Sequence, residues 1–166
     1  MSAKHRGEES VQPGSEPPPF RRRIFRSPAA VYSCEWEVAL AAHSDAQLAE
    51  IRANGYNAIW LRGFLRELVR TDVFPELGAG SEQRLETINT LTERCRRHGL
   101  EVLLYLNEPI GFPADDPFWQ CHPEVRGEPG SCLDDGWEHT HALCTSTEPV
   151  RAFLYQSARN LFRAAP

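Results

Sequence analysis

The chain has 166 residues, room for one ordinary domain, and 41% of them are hydrophobic, enough to build a core. Its net charge is −5, and because the first 30 residues hold six Lys or Arg against three Asp or Glu, the remainder is acidic, which argues against a nucleic-acid binder working through a basic surface. Five cysteines without tight spacing, no apolar leader and no run of 18 apolar residues argue against a disulfide framework, export or a membrane span, and for a chain kept in the reducing cytoplasm.

Residues 1–28 are polar and rich in proline (Pro13, Pro17, Pro18, Pro19), a composition that cannot offset the entropy of ordering, and they read as a disordered tail. The Arg21-Arg22-Arg23 run inside it reads as solvated surface rather than an address or an anion patch. Residues 29–36 form a short β-prone run. Ser44-Asp45-Ala46-Gln47 then predicts a capping-box start to a helix, with Leu48 and Ile51 on one face and Gly55 as its stop. The nearly continuous apolar run of residues 56–61 is the pattern of a parallel strand buried on both faces.

After a connection of about twenty residues, Ser81 is the expected cap of a second helix, striped by Leu85, Ile88, Leu91 and Cys95. Arg94, Arg96, Arg97 and His98 suit the dipole at its end, and Gly99 closes it. Residues 100–106 are the clearest strand and lead into Asn107-Glu108-Pro109. Residues 110–146, loaded with Pro, Gly, Asp and Trp, read as one long loop. Ser146-Thr147-Glu148-Pro149 opens a last helix with Val150, Phe153, Leu154, Leu161 and Phe162 along one side.

Strands alternating with helices demand parallel pairing through right-handed crossovers. Three strands leave both edges of such a sheet unpaired, and a complete (β/α)8 barrel runs to about 250 residues. Residues 29–166 therefore predict an α/β fold, a partial TIM (β/α)8 barrel of three to four βα units, truncated at the C-terminus.

Ligands of parallel α/β folds bind at the carboxyl ends of the strands, here Glu35-Trp36-Glu37, Arg62-Gly63 and Asn107-Glu108-Pro109. Carboxylate, guanidinium and carboxamide together suit sugar recognition, or hydrolysis in which one carboxyl protonates the leaving oxygen. Glu108 is the candidate catalytic group, and Arg62, Asn107, Glu37 and Trp119 are candidates for holding a carbohydrate. Each has a plainer alternative: an ion pair among Arg62 and Glu35, Glu37 or Glu108, a turn at Asn107, and a loop aromatic that pins the loop to the body. Cys121, His122, Cys132, His139, His141 and Cys144 share one window, but no C-x2-C or H-x3-H pair occurs, so neither a metal nor another cofactor is expected.

From about Phe25 onward the chain resembles the N-terminal half of (β/α)8-barrel proteins related to glycoside hydrolases, nearest to a bacterial group like the family 20 β-N-acetylhexosaminidases. Residues 56–63 resemble that group's second strand. Phe74-Pro75-Glu76-Leu77-Gly78 with Gly80-Ser81 resembles the connection to its second helix, residues 98–109 its third helix-to-strand unit, and residues 143–147 the approach to the next helix. Asn107-Glu108-Pro109 also resembles the acid/base motif of clan A glycosidases, which sits on their fourth strand. The resemblance implies a carbohydrate ligand. Family 20 enzymes carry their Asp-Glu pair after a fourth strand that this sequence does not reach, so a chain without hydrolase activity is expected. The alternative is a non-catalytic α/β binding module, or a subunit completed by a partner chain.

Overall fold

Three parallel strands, β1 (Ile24–Arg26), β2 (Ala58–Gly63) and β3 (Glu101–Leu106), lie in that spatial order in a first sheet. The structure is a computed structural model and describes residues 20–26, 35–106, 108–130 and 140–164. Central β2 pairs Ile24 with Ala58 on one side and runs from Ala58–Glu101 to Gly63–Leu106 on the other. Buried on both faces, it needs the unbroken apolar run that made it legible.

β1 falls inside the stretch assigned to the tail, which corrects that boundary. Polar contacts dock it. The Asn57 side chain accepts from the Arg23 N–H at 2.7 Å and donates to the Arg21 carbonyl at 2.8 Å, while the Arg23 side chain reaches the Gly55 carbonyl. Arg23 and the Arg21 carbonyl thus fasten a strand, while Arg21 and Arg22 are exposed, in keeping with a solvated run. Of the β-prone run, residues 29–34 lie outside the described residues. Glu35 and Trp36 open a helix instead of ending a strand: α1 (Glu35–Ala42), rich in the helix formers Glu, Ala and Leu.

α2 (Asp45–Ala53) starts on the expected capping box, with the Ser44 N–H donating to Gln47 Oε1 at 3.0 Å, and Gly55 at φ +85° follows its end. α3 (Leu65–Leu68) is a single turn directly after β2. α4 (Ser81–Arg97) has Ser81 as its first residue and Gly80, at φ +74°, as its cap. Leu91 and Cys95 of α4 join Leu48, Ile51, Ile59 and Leu61 in one core, and Ile88 joins Leu65, Leu68, Val69 and Leu161 in an adjoining one.

Residues 110–146 are not one loop. They hold β4 (Phe112–Pro113), α5 (Phe118–Cys121), a 3-10 turn at Pro123–Val125, β5 (Arg126–Gly130) and β6 (Thr140–Leu143). The three strands form an antiparallel sheet in the order β4-β6-β5. No period betrays it because these strands are short and β4 and β5 carry Pro or Gly. A side chain at Gly111 would collide with the His141 carbonyl, so the close approach of backbones selects glycine there. Phe74, Phe112, Phe118, Trp119, Val125, Leu143, Val150 and Phe153 give this excursion its own aromatic core.

α6 (Glu148–Ala164) buries Val150 and Phe153 in that aromatic core and Leu161 in the core it shares with α3 and Ile88 of α4. Phe162, expected on that side, is 78% exposed because it lies about 100° round the helix from Leu161. β3, an edge strand among the described residues, is half-buried, with Tyr105 turned outward. No helix among the described residues is long and apolar enough to cross a membrane.

Candidate functional site

The parallel register sets the segments leaving β2 and β3 side by side: Gly63 pairs with Leu106, so α3 and Glu108 follow on one edge of the sheet. Close packing is built in. A Cβ on Gly63 would come within 2.8 Å of Trp36 Cζ2 and 2.9 Å of Leu68 Cδ1.

Both Glu108 carboxyl oxygens are buried and lack a hydrogen bond of ordinary geometry. Burial pushes this carboxyl from 4.5 up to about 7. The Arg66 guanidinium and the Arg66 and Leu65 backbone N–H groups pull it back down, acting through their field rather than as formed bonds, and Glu67 adds a push upward. A carboxyl poised there can give or take a proton near neutral pH.

Arg66, on α3, donates to the Ile110 carbonyl at 2.7 Å. Its guanidinium lies 4.3 Å from the Phe64 ring centroid and 4.8 Å from that of Phe112. Burial lowers its pKa while Glu108, Glu67 and Asp116 raise it, and an arginine in such company stays charged. Glu67 also accepts the Trp36 indole N–H at 3.2 Å.

Of the residues singled out in the sequence, the structure brings Arg62 and Glu108 to the same end of neighbouring strands. Arg62 is 8% exposed, its guanidinium 5.8 Å from the Phe64 ring centroid. Asn107 lies outside the described residues. Glu37 falls within α1 and not at a strand end, and the placement of its side chain lies outside what is described. Trp119 is a core residue: 5% exposed, it meets Phe112 and Phe118 edge to face and donates its indole N–H to the Pro113 carbonyl at 2.8 Å. Its ring pins the second sheet and offers no face for stacking on a sugar. Arg66 was missed. Its one signal in the sequence is its place just beyond the end of a buried strand.

Phe112 and Asp116 also line an open cleft of about 570 Å³ whose far wall carries Glu76 and His122. There the His122 Nε2 stands 2.5 Å from Glu76 Oε1, and the imidazole packs on the Phe74 and Phe118 rings. Of the cysteine and histidine window, Cys132 and His139 lie outside the described residues, and the His141 Nδ1 meets the Gly127 carbonyl at 2.9 Å. No group of three or more metal-binding side chains occurs among the described residues.

No protein-family profile and no curated protein matches this sequence. Solved structures do resemble the fold. An α-galactosidase from Thermus thermophilus, in complex with stachyose, matches with a TM-score of 0.51 and 22% identity over 87% of this chain and 30% of its own. The fold is glycoside-hydrolase-like. A family 36 (GH36) α-galactosidase from Geobacillus stearothermophilus matches 88% of this chain and 20% of its own at TM-score 0.51 and 14% identity. An α-galactosidase from Lactobacillus brevis matches 87% of this chain and 19% of its own at TM-score 0.51 and 13% identity. At such identities the likeness concerns the fold alone, and the chain spans less than a third of each neighbour's length.

Proposed function

We propose that the chain is part of a (β/α)8 barrel of glycoside-hydrolase type that binds a carbohydrate at the carboxyl ends of β2 and β3, with Glu108 as the working carboxyl. The observation that carries this reading is the buried Glu108 carboxyl, poised at about 7 just beyond a parallel strand. At that height it donates to a glycosidic oxygen or accepts from a sugar hydroxyl with little cost either way. Arg62, Asn107 and Glu37 are proposed to hold the sugar from the neighbouring segments. The sequential parallel order of β1, β2 and β3, with helices between them, supports the barrel. The narrower placement beside family 20 hexosaminidases rests on motif resemblance alone.

The proposed role is binding without turnover. Glycoside hydrolysis uses two carboxyl groups about 5–10 Å apart across the bond, and Glu67, the other carboxyl that acts on Glu108, is engaged by the Trp36 indole. No cofactor enters this reading. A cytoplasmic location fits the free Cys95, a packing residue whose thiol burial pushes up to about 11.

Calorimetric titration with stachyose and with N-acetylglucosamine oligomers tests the proposal on the wild type and on Glu108→Gln. Saturable binding, weakened about tenfold or more by the substitution, is expected, with no release of aglycone from aryl glycosides. Failure of the folded protein to bind any sugar of the panel refutes the carbohydrate reading. Turnover abolished by Glu108→Gln refutes the claim of binding alone.

One observation favours a second reading, a binding module or subunit completed by a partner chain. Leu103 and Leu106 on β3 and Phe162 on α6 border a groove of about 420 Å³ along the half-buried edge of the sheet. A protected monomer, measured by size exclusion and hydrogen exchange, would count against completion by a partner.

A further inference from the structure

Arg66 connects the two segments that leave the first sheet. It belongs to the turn after β2, yet two of its partners, Ile110 and Phe112, lie two and four residues beyond Glu108 on the segment leaving β3. The Arg66 guanidinium packs against both the Phe64 and the Phe112 ring, and one of its N–H groups is held by the Ile110 carbonyl. What holds the cation therefore also holds the chain that carries the carboxyl.

We propose that Arg66 is the positioning residue of Glu108: it ties residues 108–112 to α3 and sets a fixed positive charge beside the buried carboxyl. Glu108 faces two charged side chains, Arg66 and Glu67, and Arg66 faces Glu108, Glu67 and Asp116. The three carboxyls keep the cation ionised against burial, and the cation in turn opposes the burial of Glu108. Take the cation away and burial acts without its main opponent, so the carboxyl stays protonated well above neutrality and keeps only its donor form. With Arg66 in place both forms are within reach. The inference rests on Glu108 being the working carboxyl, but its test requires no sugar.

The test is a titration of the Glu108 side-chain carboxyl by 13C NMR, its signal assigned by its loss in Glu108→Gln. Wild type, Arg66→Gln, Arg66→Lys and Phe112→Leu are compared, with circular dichroism as the check on folding. The wild-type midpoint is expected near 7, moving up by about one pH unit or more in Arg66→Gln. Lysine restores the charge but has no planar guanidinium to pack on the two rings, so Arg66→Lys recovers part of the change, and Phe112→Leu moves the midpoint upward by a smaller step. A purely structural arginine would leave the midpoint of a folded variant where it was. An unchanged midpoint in folded Arg66→Gln overturns the proposal. If that variant does not fold, unchanged midpoints in both other variants overturn it. Sugar titrations on the same samples separate the two claims: binding with an unmoved midpoint removes the role of Arg66 alone, and a moved midpoint without binding removes the carbohydrate reading alone.

Discussion

Replacing Glu108 by Gln changes the pH dependence of stability in a direction that the burial of this carboxyl fixes. The group titrates at about 7 in the fold against an ordinary 4.5. Between those values the native chain holds a proton that the unfolded chain has released, so stability falls as pH rises through this window and levels off above it. At about 1.4 kcal/mol per pH unit, the loss reaches about 3 kcal/mol. Gln matches the protonated carboxyl in shape and has no charge to bury. Wild type and Glu108→Gln should therefore be nearly equal at about pH 4, and the variant more stable by about 3 kcal/mol at about pH 8. Urea unfolding followed by tryptophan fluorescence across that range measures it, and the difference between the two proteins cancels every other titrating group. A difference that stays constant with pH, or one that favours the wild type at the alkaline end, would refute the reasoning.

His43 acts with the opposite sign. Burial pulls its pKa below 6.5, with the Ala39 carbonyl opposing and Arg94 assisting, so it favours the fold above 6.5 and loses that contribution as pH falls. His43→Leu should flatten the acid limb of the stability curve below about pH 6 in the same urea assay, and an unaltered limb would count against it. In the second sheet, Gly111→Ala should cost about 2 kcal/mol or more, because the new methyl meets the His141 carbonyl. Gly130→Ala, whose methyl would find its nearest neighbour at Thr140 Oγ1, 3.8 Å away, should change stability by less than about 0.5 kcal/mol, and equal losses at the two positions would sink the packing argument.

What the sequence made legible were the elements whose burial is periodic. β2 is apolar on both faces, α2 carries its capping box, and α4 shows its stripe at Ile88, Leu91 and Cys95. β1 stayed hidden because one amide side chain, Asn57, docks it to its neighbour, and hydropathy does not register such contacts. The second sheet stayed hidden because close backbone approach selects Gly111 and Gly127, and because Pro113 and Pro129 stand within its short strands. At the site, strand ends pointed to Arg62 and Glu108. Arg66 escaped because its partners come from a segment more than forty positions away, a relation visible only once β2 and β3 lie side by side.

The excursion between β3 and α6 has a core of its own, and Phe112 stands on its boundary, packed among those aromatics while flanking Arg66. The cleft at Glu76 and His122 is also lined by Phe112 and Asp116, so it shares two residues with the surroundings of Arg66. Through the Phe112 ring and through Asp116, a change in the excursion reaches the guanidinium beside Glu108, so the second core and the parallel sheet share the electrostatics of one carboxyl.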